Sequence, residues 1–139
     1  MKFSVLSDSL EKMELTTKRL ELTDILVELI KKTPTNRISK VIYLIQGKIR
    51  PNFEGVELGI AEKLVIRAIS KSSGTTIKKI ESDYNDDGDL GKTGANILKQ
   101  KTQTTFSAET ITLDRVYNTL LKISNLEGKG SQDMKMKYI

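Results

Sequence analysis

A chain of 139 residues is the size of one domain or a piece of one. It contains no cysteine and no histidine, which excludes disulfide scaffolds, thiolate or imidazole zinc sites and every Ser-His or Cys-His nucleophilic pair. The 23 Lys and Arg against 18 Asp and Glu leave a net charge of +5, a balance that favours polyanionic partners without requiring them. No apolar run approaches the roughly 20 residues of a membrane span and no signal-peptide pattern opens the chain, so we expect a soluble, cytoplasmic protein with no membrane partner.

Helical spacing dominates from the first residues. A short helix is predicted over 4–13, followed by an amphipathic one in which Leu22, Ile25, Leu26, Leu29 and Ile30 recur at i, i+3, i+4, i+7 and i+8. Thr33-Pro34 is expected to open the next helix, with Thr33 as N-cap and Pro34 at the first helical position. There Ile38, Val41, Ile42 and Ile45 line one side while Tyr43 and Leu44 widen the apolar surface. Pro51 and Gly55 force a turn between Ile49 and Gly55. Ala61, Leu64, Val65, Ala68 and Ile69 mark a further helix closed by Ser72-Ser73-Gly74. Shorter helices follow over 76–82 and 90–99, separated by a turn at Asn85 to Gly88. The polar run Gln100 to Thr105 reads as an exposed connection, and Thr110 to Leu113 alone hints at a strand. Leu113, Val116, Tyr117, Leu120 and Leu121 mark another helix, and a last one follows Ser131. The fold class is all-α, an array of about seven to eight short helices, with the four strongest forming the core.

Two motifs invite chemistry and fail it. Asp83, Asn85 and Asp87 with Gly88 and Leu90 match the first half of a calcium-binding EF-hand loop, but the position that should supply a bidentate Glu is Gly94. An Asx-rich turn between helices accounts for that segment instead. Gly91-Lys92-Thr93 resembles the end of a phosphate-cradling P-loop, yet its upstream glycine position is Asp86 and the acidic run would repel phosphate. No metal, cofactor or catalytic residue is expected in this chain.

Two other segments carry cations beside flexible or hydroxyl-bearing backbone. In Gly128-Lys129-Gly130-Ser131 the glycines allow close approach, Lys129 adds charge and Ser131 is expected to cap a helix that carries Lys135 and Lys137. Thr16-Thr17-Lys18-Arg19 follows the same logic, a hydroxyl cap and two cations just before the Leu22 helix. From the residues alone, an ordinary N-cap beside solvated charges is the favoured reading of either segment. Lys31-Lys32 and Lys78-Lys79 are read as solvated helix faces.

Longer strings carry a resemblance. Phe3, Leu10-Glu11-Lys12-Met13, Thr17-Lys18-Arg19-Leu20, Val41-Ile42-Tyr43-Leu44-Ile45-Gln46-Gly47-Lys48, Pro51, Phe53-Glu54-Gly55 and Glu57-Leu58-Gly59-Ile60-Ala61-Glu62 stand in that order, followed by Gly88-Asp89-Leu90-Gly91 and Gly128-Lys129-Gly130-Ser131. Taken together they resemble, over essentially the whole chain, the N-terminal DNA-binding domain of archaeal-type ATP-dependent DNA ligases, which are related to the eukaryotic replicative ligase. The resemblance implies an all-helical domain that grips nicked duplex DNA through phosphates and the minor groove, largely without regard to sequence. It implies DNA contacts at Thr17, Lys18, Arg19, Gly128, Lys129, Gly130 and Ser131, and the charge of Lys135 on the helix that follows adds a further expected contact. It also implies a parent enzyme of replication, repair and recombination that needs ATP and magnesium, with nicked double-stranded DNA and replication proteins as partners.

The family's second Gly-rich loop, its nucleotidyl lysine motif and its OB-fold are absent from these residues. Residues 1–139 are therefore expected to be a truncated N-terminal part of the DNA-binding domain, inactive in ligation alone. The competing expectation is a helical protein-interaction module with no direct DNA contact.

Overall fold

The computed structural model describes residues 1–100 and 109–139, so the stretch 101–105 of the expected connection lies outside the described residues. The described residues form eight α-helices: α1 (Ser4–Glu14), α2 (Arg19–Lys32), α3 (Ile38–Ile45), α4 (Glu62–Ser73), α5 (Ile77–Asp87), α6 (Leu90–Lys99), α7 (Leu113–Ser124) and α8 (Ser131–Met136). Short 3-10 turns at Thr35–Arg37 and Asn52–Glu54 punctuate them. The all-α expectation holds.

The chain divides into two compact units, Met1–Leu58 with Glu109–Asn125, and Gly59–Ala108 with Leu126–Ile139. In the first unit the helical periodicities converge on one cluster: Leu6 of α1, Leu29 of α2, Val41 of α3 and Leu113 of α7 are all essentially inaccessible to solvent. Each such side chain contributes about 1.5–3 kcal/mol by leaving water. The second unit has its own cluster, Ile66 and Ile69 of α4, Ile80 of α5 and Ile97 of α6, with Val65 and Leu90 against it. The four strongest sequence patterns thus do not share a single core. Those of α2, α3 and α7 build the first cluster and that of α4 builds the second.

Three local expectations are corrected. Thr33 does not open α3: it is buried and extended (φ −91°, ψ 125°), and its hydroxyl donates to the Leu29 carbonyl at 2.7 Å, closing α2. Pro34 is the reason, since a residue before proline is pushed out of the helical region. The proline begins the 3-10 turn that precedes α3. The stretch from Asp83 to Asp87 is not a loop but the last turns of α5, which runs to a left-handed Gly88. The turn expected over Asn85 to Gly88 shrinks to Gly88 and Asp89, whose carboxylate caps α6 by accepting from Lys92 N–H at 2.8 Å. The strand hint at Thr110 to Leu113 reduces to one antiparallel bridge, Lys2 with Thr112, framed by Phe3 N–H to Ile111 and Leu113 N–H to Met1.

One polar network holds the first unit together. Asp114, in the first turn of α7, accepts from Arg37 Nε and from Lys40 Nζ, each at 2.6 Å. Lys40 Nζ also lies 5.2 Å from the centre of the Tyr117 ring, a cation–π distance. The Tyr117 hydroxyl donates to the Ile49 carbonyl at 2.6 Å. Lys40 first and Arg37 second hold the Asp114 carboxyl below its ordinary value.

Candidate nucleic-acid interface

In the first unit the candidate residues sit between α1 and α2. Lys18, extended, occupies the N-cap position of α2, and no side chain accepts a hydrogen bond from the first turn of that helix. The expected hydroxyl cap is therefore corrected. Thr17 is exposed and makes no capping bond, while the Thr16 hydroxyl donates to Glu21 Oε2 at 2.6 Å and accepts from Lys18 N–H at 3.2 Å. Glu21, an acid in the first turn of α2, is favoured there by the positive end of the helix dipole. Lys18 Nζ lies 2.7 Å from Glu21 Oε1. This pair and then the Thr16 hydroxyl hold the Glu21 carboxyl below its ordinary value, so part of the Lys18 charge is already answered. Arg19 is exposed and its guanidinium has no ion-pair partner among the described residues. The apolar neighbours Leu15 and Leu20 are 82% and 80% exposed.

In the second unit the loop after residue 125 turns on two glycines, Gly128 at φ 85° and Gly130 at φ 84°. Those left-handed conformations favour glycine because a Cβ would clash with the backbone. Ser131 N–H donates to Gly128 O at 3.1 Å and Met134 N–H to Gly130 O at 3.3 Å, winding the loop directly into α8. Lys129 stands exposed between the glycines, with no ion-pair partner among the described residues.

Ser131 and Lys135 are not where the sequence reading put them. Gly130 holds the N-cap position, and Ser131 is the first residue of α8 and buried. Lys135, four residues on and so on the same helix face, is 5% exposed, and its Nζ donates to the Gly59 carbonyl at 3.3 Å. The inward face of α8 thus takes one hydroxyl and one ammonium, while Asp133 lies 3.5 Å from Arg67 of α4. The sequence reading missed Gly59 and the Asp114 network. Neither has a local signal, since their partners lie 76, 77 and 74 residues away.

The two motifs set aside in the sequence fall on α5 and α6. Lys92 and Thr93 are wound into α6, and the buried Thr93 hydroxyl lies 3.0 Å from both the Asp87 carboxylate and the Asp89 carbonyl, surroundings that do not fit a triphosphate. Among the described residues no group of three acidic side chains could hold a metal ion, and no helix is long and apolar enough to cross a membrane.

Comparison with known proteins converges on one family. The family model described as DNA ligase N terminus matches residues 2–139. Over 139 residues the chain is 68% identical to the DNA ligase of Nitrosopumilus maritimus (strain SCM1), covering all of this chain and 24% of that protein. It is 63% identical to the DNA ligase of Cenarchaeum symbiosum (strain A), again over the whole chain and 24% of the relative. Identity to the DNA ligase of Thermococcus onnurineus (strain NA1) is 42%, over the whole chain and 25% of the relative. The chain spans about a quarter of the length of the relatives it matches.

Proposed function

We propose that this chain, which belongs to the DNA ligase N-terminal family, binds duplex DNA at nicks by its sugar-phosphate backbone and minor groove, without reading sequence. The observation that carries the reading is the family match from residue 2 to residue 139. Arg19 and Lys129 support it as exposed cations without ion-pair partners among the described residues. In the first unit Arg19, with Thr17 and Lys18 beside it, supplies charge and hydroxyl to phosphate. In the second, Lys129 does so from a loop whose glycines let backbone N–H groups come close. Lys135 and Ser131, turned inward, drop from direct contact to support.

The role is positioning rather than bond-making. Nick sealing, with the ATP and magnesium it needs, belongs in this reading to the part of the relatives' length that this chain does not span, and the residues here do not fit either group. The cellular setting is the cytoplasm, with replication proteins as further partners of the whole enzyme.

The test is a titration of the chain with nicked and intact duplexes of several sequences between 50 and 200 mM salt, conditions over which phosphate contacts weaken in proportion to their number, by about 0.9 in the log–log slope for each one. Arg19→Ala and Lys129→Ala are expected to weaken all duplexes alike, each lowering the slope by about 0.9. A change of base preference in either variant would refute the phosphate assignment. A second reading, a helical protein-interaction module, has the exposed Leu15 and Leu20 in its favour. Salt-insensitive capture of a protein partner, with no gel shift on nicked duplex at low salt, would establish it instead.

A further inference from the structure

Lys135 poses a physical question that phosphate contact does not answer. An ammonium group taken out of water must find acceptors inside the protein, because burial of an uncompensated charge is strongly unfavourable. Lys135 is 5% exposed, and its Nζ reaches the Gly59 carbonyl across 76 positions of sequence. Gly59 is built for that approach. It sits at φ 56°, where any L side chain is strained, and a Cβ on it would stand 2.7 Å from Lys135 Nζ, so that the end of the lysine side chain would have to shift.

The same helix face carries Ser131, which is buried one turn earlier and begins α8 directly after the Gly128–Gly130 loop. Since α8 is only six residues long, too short to be stable by its own hydrogen bonds, whatever fixes its inward face also fixes where the loop points.

We infer that Lys135 is a positioning residue: anchored on the Gly59 carbonyl, it holds α8 so that the Gly128–Ser131 loop presents Lys129 to DNA phosphate. The inference rests on the DNA-binding reading for its last step and on the fold alone for its first. It separates two lysines on one short segment by role. Lys129 neutralises phosphate, and Lys135 determines whether Lys129 is in place to do so.

The experiment has two arms on the 139-residue chain. Without DNA, backbone amide exchange is followed by NMR in Lys135→Met, which removes the ammonium, and in Gly59→Ala, which keeps the lysine but displaces its ammonium and strains the left-handed backbone. Both are expected to speed exchange at the Ser131 and Met134 amides by about tenfold or more, as local opening free energy drops, while the Val116 amide in α7 is unchanged. Exchange at Ser131 and Met134 equal to that of the unaltered chain in both variants overturns the anchor.

With nicked duplex, both variants are expected to weaken binding. Lys135→Met added to Lys129→Ala should cost little further, since the two act through one loop. If instead the two lysine substitutions each remove about 0.9 from the salt slope independently, or Gly59→Ala strengthens binding by releasing the ammonium to solvent, Lys135 is a direct phosphate contact and the inference is wrong. A parent chain that binds no duplex would refute the DNA reading and the last step with it, and would be recognised by the exchange arm still reporting the anchor.

Discussion

Asp114→Asn isolates the charge that ties α7 to α3 and to the 3-10 turn before it. The substitution keeps size and one acceptor oxygen but removes the carboxylate shared by Arg37 Nε and Lys40 Nζ, both at 2.6 Å. Hydrogen bonds to a charged group contribute about 1.5–3 kcal/mol when shielded. The Asp114 side chain is 32% exposed, and Arg37 and Lys40 are 29% and 27% exposed, so solvent screening reduces that figure and one weaker bond to the amide survives. The net loss is about 1.5 kcal/mol. With a urea dependence of about 2 kcal/mol per molar, the unfolding midpoint should move down by about 0.7 M at neutral pH.

The pH dependence has a definite sign. The carboxyl titrates below its ordinary value of 3.8 in the folded chain, so its contribution is fully present above that value and disappears as pH falls through the lower folded one. The gap between the parent chain and Asp114→Asn should therefore be constant from neutrality down to that range and close below it. A midpoint shift under about 0.2 M at neutral pH, or a gap that persists unchanged or widens in acid, would refute the assignment.

Other outcomes follow from the two apolar clusters and from α6. Leu6→Ala, at a position with no solvent exposure, should cost about 3 kcal/mol by urea unfolding. Ile80→Ala, equally inaccessible in the second cluster, should cost a similar amount, about 3 kcal/mol. Thr93→Val keeps the shape of a fully buried side chain but deletes the hydroxyl between Asp87 and the Asp89 carbonyl. A loss of about 1 kcal/mol is expected, and a neutral or stabilising result would show that this bond is not net favourable.

What the sequence revealed and what it hid divide along physical lines. The helices α2, α3, α4 and α7 were legible because Leu22 with Ile25, Leu26 and Leu29, Ile38 with Val41 and Ile42, Leu64 with Ala68, and Leu113 with Val116 and Tyr117 repeat at 3.6-residue spacing. The end of α5 was misread because Asp83, Asn85, Asp86 and Asp87 each disfavour helix locally, while the Lys79–Asp83 pair and the buried Ile80 carry the helix on to Gly88. Thr33 was read forwards as a cap when the adjacent proline makes it an ending. The hydroxyl caps expected before α2 and α8 are not made, one because α2 begins at Arg19 and puts Lys18 at the N-cap position, the other because Gly130 already turns the chain. Nothing near Lys135 in sequence distinguishes it from the exposed Lys129 or Lys137. Its inward turn depends on a carbonyl supplied by Gly59, which only the folded chain brings near.

The interleaved construction of the two units bears on how this polypeptide matures as it leaves the ribosome. Residues 1–58 bring out Leu6, Leu29 and Val41, but their fourth companion, Leu113, belongs to a segment that begins at Glu109. The nascent first unit must wait with an unfilled apolar gap while α4, α5 and α6 are translated, whereas the second cluster, Ile66, Ile69, Ile80 and Ile97, has all its members once α6 has emerged. The second unit's cluster is therefore expected to close before the first unit's, against strict stepwise folding from the N-terminus.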